Sequence, residues 1–220
     1  RHIAFNTEAE RQLCRSVFGR FLAPNSIVGC GIEMAPEAEW SGVKAKYELP
    51  DEYVLYLGRV SKAKVDKLLP YFLRCKAKYG GDAKLVLVGG FENEIRKFDS
   101  PDILFTGYVS DEEKTAIVRH ATVMVNPSPM ESLSLLMLEG MQSRIPLLVN
   151  GRSKVMKDHC RLSGAGLWYN NGRDFRKKLH RLLSDPELRR TMSEKGPAYV
   201  REHYDWEIII PKLRTLIESI

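Results

Sequence analysis

The sequence predicts an α/β domain in which a parallel sheet is flanked by helices. Three observations carry that expectation. From residue 50 onward, short apolar runs alternate with segments of helical periodicity. Most runs close on glycine or a small polar residue. The composition, 44% hydrophobic and 28% charged over 220 residues, is that of an ordinary globular chain.

The elements follow in order. Tyr53–Leu57 reads as a strand ending at Gly58. Residues 64–79 read as an amphipathic helix, with Val65, Leu68, Leu69, Phe72 and Leu73 at helical spacing. Lys84–Val88 is a strand closed by Gly89 and Gly90, and Ile103–Phe105 a short one ending at Thr106-Gly107. Asp111 opens a helix with acids in its first turn, where the helix dipole favours them. Ala121–Val125 is a strand, Ser134–Ser143 a helix, and Ile145–Val149 and Gly166–Tyr169 further strands. Near the end, Ser184-Asp185-Pro186-Glu187 supplies an N-cap, a proline at the first position and a first-turn acid. Gly196-Pro197 should interrupt or kink that helix, and Asp205 should start a last one that contains Pro211. In the first fifty residues, His2–Phe5 reads as a strand, Thr7–Phe21 as a helix and Ser26–Gly31 as an apolar, glycine-rich turn region. Residues 33–50, with Pro36, Pro50 and many charges, read as a linker.

No secretory signal opens the given sequence, and residue 1 is Arg rather than an initiator Met, so it reads as a piece of a longer chain. No apolar run approaches the ~20 residues that span a bilayer. The net charge of +6 favours anionic partners. The basic residues are scattered and match no nucleic-acid-binding motif, so nucleic acid is not expected as a partner. Cys14, Cys30, Cys75 and Cys160 form no C-x-x-C pair, and no histidines have helical metal-site spacing. Reduced thiols and a cytoplasmic setting are the expectation.

Ligands of parallel α/β sheets sit beyond the carboxyl ends of the strands. There the sequence places Leu57-Gly58-Arg59-Val60-Ser61-Lys62-Ala63-Lys64, Gly89-Gly90, Gly107-Tyr108-Val109 and Asn126-Pro127-Ser128. The most specific stretch is Pro127-Ser128-Pro129-Met130-Glu131-Ser132-Leu133-Ser134-Leu135-Leu136-Met137-Leu138-Glu139-Gly140-Met141-Gln142-Ser143-Arg144-Ile145-Pro146, with Glu131 and Glu139 eight apart. This order resembles the retaining glycosyltransferases of family 4, clearest over residues 53–204. The resemblance implies a Rossmann-like sheet forming the C-terminal, donor-binding half of a two-domain GT-B fold. On it, residues 1–35 are a remnant of the acceptor domain and hinge, 36–50 a linker, 51–204 the donor domain, and 205–220 a helix that packs back toward the missing half.

The chemistry agrees with that resemblance. A nucleotide sugar carries a diphosphate leaving group, and charge grows on that group as the bond to the sugar breaks. Arg59 offers a planar fork for phosphate oxygens and Lys64 a point charge. Lys62 competes with Lys64, and family spacing favours Lys64. The helix starting near Ser134 aims N–H groups at the same place. The resemblance gives Arg59, Lys64 and Glu131 the catalytic roles, with Glu131 on sugar hydroxyls and Glu139 on the ribose. It sets the base against Gly107, Tyr108 and Val109, and the rest of the donor against Gly58, Ser132, Leu133, Ser134 and Leu135. It implies no catalytic metal and no resident cofactor, with a UDP- or GDP-sugar as substrate. The acceptor would be a glycan or lipid-linked molecule held mainly by the missing domain, in polysaccharide biosynthesis at the inner face of a membrane.

Three positions depart from the family's pattern. Ser134 and Arg144 stand where it has glycine, and Val65 follows Lys64 where glycine is common. A side chain at Ser134 can crowd the diphosphate, or its hydroxyl can cap the helix and donate to a phosphate. Ser134 and Val65 support one alternative, a degenerate nucleotide- or glycan-binding scaffold, and the intact Arg59, Glu131 and Glu139 count against it. A dinucleotide-dependent oxidoreductase is poorly supported, because no Gly-x-Gly-x-x-Gly leads from a strand into a helix. Asp158 and His159 match no family motif and read as structural or acceptor-side residues.

Overall fold

The computed structural model describes residues 1–20, 23–90, 92 and 100–218. Six parallel strands form the central sheet: β3 (Tyr53–Leu57), β4 (Lys84–Val88), β5 (Ile103–Gly107), β6 (Val123–Asn126), β7 (Leu147–Asn150) and β8 (Gly166–Tyr169). Their spatial order is β5-β4-β3-β6-β7-β8. This is the doubly wound arrangement, whose strand order reverses between β3 and β6. A crevice opens beyond the carboxyl ends at that reversal, and it sets where the site lies.

Burial of both faces explains why the strands read as near-continuous apolar runs. β3 is buried throughout, and alternate side chains serve opposite layers. Tyr53, Leu55 and Leu57 join the core with α5 (Asp111–Arg119), α6 (Leu135–Gln142), α7 (Lys154–Ser163) and α9 (Pro186–Tyr204). Val54 and Tyr56 join the other, with α4 (Leu68–Tyr79) and α8 (Gly172–Ser184), where Phe72, Phe175 and Leu179 are fully enclosed. Burying a side chain of this size contributes about 1.5–3 kcal/mol.

A separate two-stranded parallel ladder joins β1 (Ile3–Phe5) to β2 (Asn25–Ile27). Between them runs α1 (Glu8–Phe18), capped by the Thr7 hydroxyl accepting from the Glu10 N–H at 3.0 Å. It stops at Gly19, short of the predicted Phe21, which lies outside the described residues. The chain closes with α10 (Trp206–Glu218), in which Pro211 is accommodated.

Three expectations are corrected. Residues 33–50 are not all linker, since α2 (Trp40–Lys46) forms within them and is capped by the Glu39 carboxylate on the Ser41 and Gly42 N–H groups. The helix expected over 64–79 divides into α3 (Lys62–Val65) and α4, with Asp66 and Lys67 between. α9 runs through Gly196-Pro197 without interruption. No helix among the described residues is long and apolar enough to cross a membrane.

Candidate functional site

At the strand-order reversal, Gly58 and Arg59 leave β3 while Asn126 ends β6. The turn after β3 is packed against the end of β4. Gly58 N–H donates to the Val88 carbonyl at 3.0 Å and Val60 N–H to the Gly90 carbonyl at 2.9 Å. Gly89, at φ +131°, has no room for a side chain, because a Cβ there would lie 2.2 Å from the Gly58 carbonyl oxygen. This contact brings Arg59 to the mouth of the crevice.

The opposite wall is the loop between β6 and α6. Asn126 braces it at both ends. Its carbonyl oxygen accepts from the Ser128 N–H at 3.0 Å and its amide donates to the Ser134 hydroxyl at 3.1 Å. The Ser128 hydroxyl donates to the Met130 carbonyl at 2.8 Å. From the N-terminal segment, the Thr7 hydroxyl donates to the Ser132 carbonyl at 3.3 Å. Ser134 sits at φ +66°, ψ +69°, and its side chain makes no capping bond to α6. The capping expected of its hydroxyl is therefore corrected, since that oxygen accepts from Asn126 instead.

These walls enclose a cavity of about 470 Å³. Gly58, Arg59, Lys64, Glu131, Ser132, Leu133, Ser134 and Leu135 all line it. Lys62 does not. Arg59, Lys64 and Glu131 have no ion-pair partner among the described residues. Two cations and a carboxylate thus converge on one cavity with their charges uncommitted. Asn126 and Ser128, expected at a strand end but given no role, line it too, as do Asn6, Cys30 and Tyr56, which were not singled out from sequence. Asn126 had a signal, since it directly precedes the Pro127-Ser128 stretch, whereas Asn6 and Cys30 arrive only through tertiary folding.

The remaining sequence-predicted residues lie outside that cavity. Gly107 ends β5 at φ +74°, Val109 is half-buried, and Tyr108 is exposed with its ring over Gly90. Glu139, the fifth residue of α6, is turned toward α5 and pairs with Lys114 at 3.3 Å through Oε1. Its Oε2 is buried and has no hydrogen-bond partner. Burial raises the Glu139 pKa, with Lys114 pulling the other way. A buried, half-satisfied carboxylate is costly unless a donor reaches it. His159 is buried on α7, its Nδ1 2.9 Å from the Tyr199 hydroxyl. Among the described residues no group of three or more His, Cys, Asp or Glu is placed to hold a metal ion.

Comparison with known proteins agrees with this architecture. α-D-Kanosaminyltransferase of Streptomyces kanamyceticus is 30% identical over 174 residues, covering 73% of this chain and 44% of the relative. Glycosyltransferase 1 domain-containing protein 1 of Xenopus tropicalis is 26% identical over 132 residues, covering 59% of this chain and 36% of that protein. The chain spans less than half the length of either. Among solved structures, Anabaena HepE in complex with UDP and glucose superposes with a TM-score of 0.81 at 13% identity, over 99% of this chain and 63% of that one. Sucrose-phosphate synthase from Thermosynechococcus elongatus gives 0.79 at 20% identity, over 99% and 58%. At these identities the superpositions establish the fold, a parallel sheet flanked by helices as in GT-B glycosyltransferases. The family model described as glycosyl transferases group 1 matches residues 42–199, and this chain belongs to that family.

Proposed function

We propose that the chain carries the nucleotide-sugar site of a glycosyltransferase that moves a hexose-type sugar from a UDP- or GDP-sugar to a glycan or lipid-linked acceptor. The observation that carries this reading is the convergence of Arg59, Lys64 and Glu131, unpaired, on the cavity where the strand order reverses. Arg59 and Lys64 would neutralise the leaving diphosphate, the role for which preorganised cations are worth most. Ser134 leaves the first N–H groups of α6 without a side-chain cap, so they are free to meet the same phosphates. Glu131 would hold sugar hydroxyls. The unpartnered Oε2 of Glu139 would accept from the ribose, with the base against Gly107–Val109. The solved complexes of HepE with UDP, and with UDP and glucose, support a nucleotide-sugar donor.

On this reading the sugar is transferred with retention and without a catalytic metal, and acceptor groups come from a second domain. Cell-envelope polysaccharide or glycolipid synthesis at the cytoplasmic face of a membrane is the setting we assign. Calorimetry of this folded chain with UDP, GDP and ADP species is the test. Weak binding of one nucleoside diphosphate is expected, with little transfer activity, and no binding of any species would sink the proposal. In the full-length enzyme, Glu131→Ala should abolish transfer with folding preserved. An unchanged phenotype would instead favour a non-catalytic scaffold, the reading that Ser134 in place of glycine supports.

A further inference from the structure

Beside the donor cavity lies a second cleft, of about 260 Å³. Lys64 and Pro127 line both and form the partition between them. The carboxyl ends of β7 and β8 make its far wall. Asn150, the last residue of β7, ties two loops together there. Its amide donates to the Pro127 carbonyl at 2.9 Å and its carbonyl oxygen accepts from the Arg152 N–H at 3.1 Å. Gly151 between them fits closely, since a Cβ would lie 2.8 Å from Asn170 Oδ1 and 3.0 Å from Trp168 Cδ1. Arg152 is thereby held at the rim by backbone contacts rather than by its own charge.

Five of the lining side chains are donors with nothing to donate to among the described residues. Lys64, Lys67 and Arg152 are exposed and have no ion-pair partner among the described residues. Tyr169 is 4% exposed, and its hydroxyl makes no hydrogen bond among them. The hydroxyl of Tyr71, whose ring meets Tyr169 edge-on at 6.4 Å, is equally free. Against three cations the lining has one acid, Asp66. A buried tyrosine usually finds a partner for its O–H. Arginine's fork and lysine's point charge suit carboxylate and phosphate oxygens. The volume lies below the roughly 300–1,000 Å³ of drug-sized sites, which suits one charged ring or substituent rather than an oligosaccharide.

We infer that this cleft is an anion subsite, in which Lys67, Arg152 and the Tyr169 hydroxyl hold a carboxylate or phosphate carried by a sugar at the edge of the donor cavity. The inference rests on the donor-site reading, because Lys64 is the residue through which the two spaces meet. It makes charge on the sugar a determinant of specificity. The charge has two possible carriers: the donor's own sugar, as in a nucleotide-linked uronic acid, or the acceptor.

Calorimetry of this chain with glucose 6-phosphate, glucuronate and uncharged glucose, with and without saturating nucleoside diphosphate, is the first arm. The second compares UDP-glucuronate with UDP-glucose. Charged sugars should bind about tenfold more tightly than neutral ones, the worth of one charge-assisted hydrogen bond. The double variant Lys67→Gln/Arg152→Gln should remove that preference while leaving nucleoside diphosphate affinity unchanged. Tyr169→Phe, which keeps the ring, should weaken it in part. A preference seen alongside bound nucleotide assigns the anion to the acceptor, and one seen only with UDP-glucuronate assigns it to the donor. If a chain that binds nucleoside diphosphate shows no preference in either arm, or one that the double variant leaves intact, the subsite is overturned and the donor site stands. Loss of nucleotide binding with a preference that depends on Lys67 and Arg152 overturns the donor reading alone.

Discussion

The Asn126 amide donates to the Ser134 hydroxyl at 3.1 Å, and this bond holds a serine in the left-handed conformation at the start of α6. A left-handed residue with a Cβ costs roughly 1–2 kcal/mol relative to glycine. Arg144, the other residue standing where the resembled family has glycine near this stretch, is also left-handed, at φ +64°. Both departures therefore fall at positions whose backbone asks for glycine.

Ser134→Gly should accordingly raise stability by about 0.5–1 kcal/mol, the relief at φ being partly offset by the lost Asn126 bond and the freer unfolded chain. Arg144→Gly, with no comparable side-chain bond among the described residues, should raise it by about 1 kcal/mol. Urea denaturation of the two variants measures both. A loss of stability in Ser134→Gly would mean that the hydroxyl bond, not the backbone, governs this turn.

Lys64 and Lys62 are distinguished by placement, since Lys64 lines the cavity at the strand-order reversal and Lys62 does not. A hydrogen bond to a charged group is worth about 1.5–3 kcal/mol, so Lys64→Ala should weaken nucleoside diphosphate binding by about tenfold or more. Arg59→Ala should do at least as much, and Lys62→Ala little. The losses should shrink as ionic strength rises, because exposed charges are screened. Titration calorimetry at two salt concentrations checks this, and equal losses from Lys62 and Lys64 would remove Lys64 from its role.

Much of this site was legible in the sequence because sheet and motif share a cause. A strand buried on both faces must be an apolar run, and its end must turn sharply, so Tyr53–Leu57 and Gly58-Arg59 announced each other. The single elements that were misread depend on distant partners. α2 looked like a linker because its residues are charged and flanked by Pro36 and Pro50. It is fixed instead by Trp40 stacking on His120, with ring centroids 3.9 Å apart, and by Glu37 pairing with Arg119 and His120. The break between α3 and α4 was invisible because Val65, Leu68 and Leu69 are all buried and keep helical spacing across it. The left-handed turn at Ser134 was foreshadowed only by the missing glycine.

His159 was read as structural or acceptor-side, and its surroundings make it an acid-sensitive point of the fold. Burial is the main cause that lowers its pKa from 6.5 to about 4, against the opposing pull of the Leu133 carbonyl and Asp158. The neutral ring is the folded form. As pH falls from 6.5 toward 4 the unfolded chain takes up a proton that the folded chain refuses, so stability is lost on acidification. The full effect is on the order of 3 kcal/mol. Thermal denaturation between pH 7 and 4.5 should show a slope that His159→Gln flattens. An identical slope in the variant would assign the acid sensitivity to other groups.

Glu113 also loses stability on acidification, but through hydrogen bonds to its charged form rather than through burial. It completes the capping box of α5 by accepting from the Ser110 N–H at 3.0 Å, while Ser110 Oγ accepts from its own N–H at 3.2 Å. It also joins α5 to the α2 region, accepting from Lys46 at 2.6 Å and from the Tyr47 hydroxyl at 2.8 Å. The Lys46 bond, followed by the Ser110 N–H, holds its pKa down to about 2. Its folded pKa lies below the unfolded one, so its contribution is complete above about 4.5 and is lost as pH falls toward 2. Lys46 is well exposed, so the ion pair itself adds little, and the cap carries most of the effect. Glu113→Ala should therefore cost about 1–2 kcal/mol at neutral pH and only about a quarter of that at pH 2.5. Glu113→Gln keeps a capping acceptor and should lose less than alanine does. Denaturation of the two variants at pH 7 and pH 2.5 measures this, and equal losses at both pH values would show that the ionised carboxylate is not what secures the end of α5.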